Sequence, residues 1–555
     1  MRLSILLLLA ALPGLSRPVA AQLLQAAPTF TRADSLRGHL TALRTCYDIN
    51  YYHLDVRLDV AGRAIRGSNE FRFTATRDFT RLQFDLFANL TVEKVEYEGQ
   101  PLPFTREFNA VFVTFPETIR QGRRAAFTVY YGGRPTVAEN APWDGGFVFA
   151  AHAGGQPWVA TACQGVGGSI WWPCKDHQAD EVDSMLISVT VPKGLTDVSN
   201  GRLRRTTRLK GGATRFDWFV GNPINNYDVA LNVANYAHFQ DTYAGELGPL
   251  SLDYWVLPEN IGKAKKQFGA NVQPMLKSME YWFGPYPFYQ DGYKLIETPH
   301  LGMEHQSAVA YGNEYQNGYR GQDRSGTGWG LKWDFIIIHE SGHEWFGNSI
   351  TSQDIADMWI HEAFTTYSEA LFVESQFGQE AARQYLHGQR RNIRHDAPII
   401  GPYEVNEEGS SDMYDKGSNL LHLIRTSYVP DDARWRALLR GLSRTFYHQT
   451  VTTEQIVDYF NQQTGQPLTP VFDQYLRHTS LPVLEVRFPA TGPPLARWIA
   501  AVPGFALPAR IRVRGAAGFV ALPLTTTFQP VSLPGLTKEN LEVDTGNQYI
   551  GVLVE

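Results

Sequence analysis

The sequence predicts a multidomain α+β fold: a β-rich N-terminal domain of sandwich or saddle shape, a largely helical middle, and a short β-rich C-terminal domain. Three observations carry this. Short apolar/polar alternations fill residues 48–235, broken by Gly, Asn and Pro. From about residue 263 the apolar period lengthens to that of helices. After Leu481 the alternation returns. At roughly 100–200 residues per domain, the 555-residue chain has room for such a division.

Taken in order, segments 51–60, 69–74, 125–131 and 185–191 read as strands. Helical patterns are expected over 264–283, 332–346, 359–377, 412–428, 431–443 and 453–464. The Gly-rich stretch 317–330 reads as a flexible loop. Strands are expected again over 483–488, 509–514 and 518–523. The expected boundaries are a signal peptide over 1–21, then domains over 22–235, 236–480 and 481–555. The signal peptide rests on Arg2, an apolar run over 3–12 that is too short to span a bilayer, and Val19-Ala20-Ala21 before the cut. Export to the periplasm or beyond follows as an expectation, with no membrane span.

Composition narrows the function. Charged residues are 19% and apolar residues 43%, which suits packed cores rather than a disordered chain. Lys plus Arg number 50 against 56 Asp plus Glu, a balance that argues against a nucleic-acid partner. Three cysteines, Cys46, Cys163 and Cys174, are too few for a disulfide scaffold. Cys163 and Cys174 could pair, and buried free thiols are an equal alternative.

The chemistry is concentrated in Ile336-Ile337-Ile338-His339-Glu340-Ser341-Gly342-His343. Histidines four apart leave one helix face a turn apart, where two imidazoles can share one Zn²⁺. Glu340, beside His339, is placed to act as general base. Eighteen residues (344–361) separate His343 from Glu362, a carboxylate on a second helix that would complete a His₂Glu site with an open position. His361 is the rival ligand, pointing about 100° away on that helix. Glu369, seven residues after Glu362, lies on the same face and can orient a ligating imidazole; Asp357 is a second candidate for that role.

This arrangement resembles the aminopeptidase N family of zinc metallopeptidases. Leu301-Gly302-Met303-Glu304-His305 is similar to the family's Gly-x-Met-Glu-Asn segment, differing at Leu301 and His305. The resemblance makes Glu304 the carboxylate that binds the substrate's free α-amine, with Gly302 and Met303 beside it. Tyr414-Asp415-Lys416-Gly417 resembles the family's Tyr-x-Lys-Gly, which makes Tyr414 the oxyanion donor. Thr161-Ala162-Cys163-Gln164 resembles a stretch that lines the first substrate pocket, which points to Gln164. The resemblance implies an N-terminal β-saddle, a thermolysin-like catalytic domain, one Zn²⁺, and a peptide substrate with a free N-terminus. The large C-terminal helical cap of many members has no counterpart in 481–555, so an open site, or one closed by an oligomer partner, is expected. Endopeptidase or epoxide hydrolase action on the same scaffold, and a non-catalytic peptide-binding relative, are the alternatives.

Overall fold

The computed structural model describes residues 29–555. The expected signal peptide lies outside these residues. The chain is a multidomain α+β protein.

Two short helices, α1 (Arg32–Gly38) and α2 (Ala42–Thr45), lead into an eight-stranded sheet. Its central strand, Tyr47–Asp59, turns Tyr52, Leu54, Val56 and Leu58 inward on alternate positions, the period-two pattern of a half-buried strand. It pairs antiparallel with Ala64–Ala75 and parallel with Ser184–Val191. A three-stranded sheet lies across it: Phe84, from Phe79–Asp85, packs against Phe71 and Phe127 of the larger sheet. A four-stranded sheet containing Gln156–Ala162 and Asn232–Ala234 completes this part. Three of the four strands expected here fall inside observed ones, and the fourth, 51–60, overruns its strand by one residue.

A five-stranded sheet follows, in the order Ala237–Gly245, Gly248–Val256, Tyr293–Glu297, Val309–Tyr311, Gly302–Met303. Helix α3 (Ile261–Phe283) buries Phe268, Val272, Met275 and Met279 in the core that this sheet shares. The remaining helices are α4 (Phe335–Gly342), α5 (Trp359–Phe377), α6 (Gln379–Gln389), α7 (Asp415–Tyr428), α8 (Asp432–Thr445), α9 (Thr453–Thr464) and α10 (Thr469–Leu476). Helix α4 is shorter than the pattern over 332–346 suggested. Asp334 caps it, and the chain tightens after Gly342 into three-residue hydrogen bonds, Glu344 N to Ser341 O and Trp345 N to Gly342 O. Gly347 then turns the backbone at φ 130°.

The C-terminal strands form sheets of four and three strands. Leu484, Val486, Trp498 and Leu507 belong to the same apolar cluster as α3, α4 and α5, so the core is continuous from Leu250 to Ile550. The N-terminal cluster takes in Ile296 and Ala308 from beyond residue 236. All three cysteines are buried and unpaired. Among the described residues, no helix is long and apolar enough to cross a membrane.

The 317–330 segment is held in place rather than loose. Gly318 N donates to Trp333 O at 2.7 Å, Asp323 accepts from Ser325 N, and Arg391 donates to the carbonyl of Asp323. The glycines permit the turns, with φ 73° at Gly318 and 75° at Gly321, while side chains from elsewhere fix them.

Candidate metal centre and active site

Helices α4 and α5 bring three donors to one point. His339 lies in α4 and His343 is its C-cap, still in helical conformation at φ −62°, so the four-residue spacing keeps both imidazoles on one side. Glu362 sits in the first turn of α5. Its Oε2 is 3.6 Å from His339 Nε2 and 3.4 Å from His343 Nε2. All three side chains are buried.

The donors are oriented from behind. His339 Nδ1 is 2.7 Å from Glu369 Oε1, and Glu369 Oε2 accepts from Tyr385 at 2.7 Å and Gln389 at 3.1 Å. His343 Nδ1 is 2.9 Å from the Phe346 carbonyl and 3.1 Å from the Thr365 hydroxyl. With each Nδ1 so engaged, both Nε2 atoms face the shared point. Glu362 Oε1 accepts from Gln164 Nε2 at 3.1 Å, whereas Oε2 is buried without a hydrogen-bond donor. An orphaned carboxylate oxygen facing two imidazole nitrogens is what a bound cation would satisfy. Two nitrogens and one oxygen with room for a further ligand fit Zn²⁺. Burial works to raise the Glu362 carboxyl, but the adjacent imidazoles outweigh it and hold it below the usual carboxylate range.

Glu340 is turned to the cleft side of α4, where burial pushes its carboxyl up to about 7. Glu304 is 1% exposed, and its Oε1 has no partner. Burial raises its carboxyl too. Carboxylate oxygens of Glu304 and Glu340 lie within 4.8 Å of each other and of a His343 nitrogen. Gly302 makes room for this: a Cβ there would stand 2.9 Å from Glu340 Oε1 and 2.8 Å from Ile336 Cγ2. Met303 packs with Ala162 and Ala310, tying the strand just before Glu304 to the strand before Gln164. Tyr414, between a single helical turn and α7, stacks 6.1 Å from the His339 ring; burial, then the Glu362 charge, pushes its hydroxyl well above the ordinary tyrosine range.

These side chains line one cleft of about 970 Å³ that includes Gln164, Gly302, Met303, Glu304, His339, Glu340, His343, Glu362 and Tyr414. Two residues considered for the centre are used elsewhere. His361 points away, its Nε2 accepting from Ser352 N at 2.8 Å. Asp357 does not reach a ligating imidazole: its carboxylate accepts from Tyr403 at 2.7 Å, Thr453 Oγ1 at 2.6 Å and Thr453 N at 3.0 Å, and so holds the start of α9. His305, where the resembling motif has Asn, is fully buried, which lowers its imidazole to about 3. Sequence reasoning did not find Thr365, Tyr385, Gln389, Tyr319 or Arg324. The four-residue spacing of Tyr385 and Gln389 on α6 is the one signal that was available.

The fold and these donors define a metallopeptidase-type catalytic domain. Residues 271–475 match the Peptidase family M1 domain. Human aminopeptidase B is 26% identical over 393 residues, covering 66% of this chain and 54% of that protein. Rat aminopeptidase B is 26% identical over 463 residues, covering 75% of this chain and 66% of that protein. The chain thus spans between about half and two thirds of the length of these relatives. The M1 zinc metallopeptidase of Deinococcus radiodurans shares the fold, with a TM-score of 0.64 at 22% identity, over 78% of this chain and 94% of that one.

Proposed function

We propose that the chain is a zinc-dependent aminopeptidase that removes the N-terminal residue from peptides with a free α-amine. The observation that carries this is Glu304, a buried carboxylate with a free oxygen beside the three metal donors. An α-ammonium has a pKa of about 7.7–8.0, so it is mostly charged at neutral pH. Glu304 pairs with it, and Gln164, whose Nε2 is spent on Glu362, offers its remaining carbonyl oxygen. An N-blocked substrate would leave Glu304 buried and unpaired, which is costly.

His339, His343 and Glu362 would hold the zinc, which when bound supplies a Lewis acid and lowers the pKa of a water toward about 7. Glu340 takes the proton of the attacking water on its carboxylate and passes it to the leaving nitrogen, a role worth about 10²–10⁴-fold. The Tyr414 hydroxyl donates to the developing oxyanion, worth roughly 10²–10³-fold in comparable sites. Glu369 fixes the His339 ring throughout.

Aminopeptidase names among the relatives support this reading, as does the Tyr-Ser-Ala substrate bound in a Deinococcus radiodurans structure of the same fold. The same reading takes 1–21 as a signal peptide and the protein as exported. It takes 22–235 as a β-saddle, 236–480 as the thermolysin-like domain, and 481–555 as a small β-domain. Mass spectrometry of a digested free-amine peptide tests the reaction. Stepwise N-terminal loss is expected, and internal cleavage would mark an endopeptidase instead.

A further inference from the structure

The cleft is electrically polarised. On the side of Gln164 and Glu304, the segment carrying Glu407 and Glu408 adds two carboxylates, anchored where Asn406 Nδ2 donates to Gly165 O at 3.2 Å. The wall beyond His339 carries three cations, Arg324, Arg391 and Arg394, against two carboxylates, Asp323 and Asp415. Arg324 comes from the Gly-rich segment that the aminopeptidase mechanism leaves unused.

Arg324 is built for a ligand. Its guanidinium lies 5.4 Å over the Phe335 ring and 5.6 Å over the Tyr319 ring. Its only side-chain hydrogen bond among the described residues is end-on, Nη2 to Asp415 Oδ2 at 3.4 Å. The rest of its planar fork is free, and the side chain is 32% exposed in the cleft. A guanidinium held flat by aromatic rings with an open fork matches a carboxylate bidentately. Its backbone is tied down as well, since Arg391 Nε donates to the Arg324 carbonyl at 3.2 Å.

Distance sets what it can bind. Phe335 stacks 5.1 Å from the His339 ring, so the Arg324 guanidinium stands no more than roughly 10 Å from that ring. A peptide advances at most about 3.3–3.6 Å per residue. A carboxylate that meets Arg324 therefore ends a leaving piece of about one or two residues.

We propose that Arg324, assisted by Arg394, binds the C-terminal carboxylate of di- and tripeptides whose amine sits at Glu304, which makes this a short-peptide enzyme that reads both ends of its substrate. This rests on the aminopeptidase reading. Carboxylate recognition is the same in the ground and transition states, so its effect falls on KM rather than kcat.

The test compares trialanine, trialanine amide and alanine p-nitroanilide on the full chain with zinc. The free acid is expected to be cleaved about ten- to hundredfold better in kcat/KM than the amide. In Arg324→Met that ratio should collapse toward one, and Arg324→Lys should recover part of it. Equal cleavage of acid and amide by the unaltered protein overturns the proposal, as does a ratio that survives in Arg324→Met. Titration calorimetry with Glu340→Gln gives a readout without turnover: tighter binding of the acid than the amide is expected, and equal affinity overturns the proposal. Failure to cleave any of the three substrates sinks the aminopeptidase reading instead, and calorimetry still decides the carboxylate question.

Discussion

At the scale of single residues, the centre depends on which atoms are left without partners. Glu362 Oε2 and Glu304 Oε1 are buried and unpaired, one beside the imidazoles and one beside Glu340. Glu340→Gln should keep stoichiometric metal, measured by atomic emission, and lose turnover by at least about 10²-fold. Retained turnover removes Glu340 as the base. Glu369→Ala frees His339 Nδ1 and should weaken metal affinity by about 10–100-fold, read from competition with a chelator. Gly302→Ala pushes a methyl group into Glu340 and Ile336, so kcat should fall while the far-ultraviolet spectrum is unchanged. The sequence pointed directly to the ligands and Glu340, because their spacing encodes geometry. It could not separate Glu369, inside α5, from Asp357, just before it, since both are carboxylates near Glu362 and their partners are distant in sequence. Only the tertiary partners, His339 for one and Thr453 for the other, distinguish them.

At the scale of elements, α4 carries two ligands and the base, so its start matters. Asp334 is fully buried, accepts from Tyr311 at 2.7 Å, Asn313 at 2.8 Å and Gln267 at 2.8 Å, and caps the helix through Ile337 N. Burial pushes its carboxyl up to about 6, against about 3.9 in an unfolded chain. The native state therefore holds this proton more tightly. The stabilisation is complete below about pH 4 and is lost as pH rises through about 6. The wild type should lose melting temperature relative to Asp334→Asn across that interval; a difference that stays flat contradicts it. The patterns over 359–377 and 453–464 matched α5 and α9: both helices stop at a glycine, Gly378 and Gly465, and α9 opens on a capping box of Thr452 and Gln455. Helices α6 and α10 went unread. A glycine, Gly378, joins α5 to α6 without a loop, and α10 opens with a proline in its first turn. The Gly-rich segment 317–330 was misread as flexible because the side chains that pin it, among them Arg391, lie far away in sequence.

At the scale of the whole molecule, the catalytic helices and the C-terminal strands share one core, and the N-terminal β-region supplies Gln164 to the centre. A chain ending at residue 480 would expose Trp498's and Leu484's packing partners, and Tyr475 would lose its 2.6 Å bond to the Tyr549 carbonyl. That truncation should give no soluble, zinc-binding protein; a folded product would show that the β-region is dispensable. The central claim is that a free α-amine is read by Glu304 beside a metal held by His339, His343 and Glu362. The most direct measurement is hydrolysis of aminoacyl-p-nitroanilides beside their N-acetylated forms, with chelator and after zinc is restored. The account predicts cleavage of the free-amine compounds alone, abolished by chelator and recovered with zinc. Equal cleavage of the acetylated forms, or activity indifferent to the chelator, would contradict it.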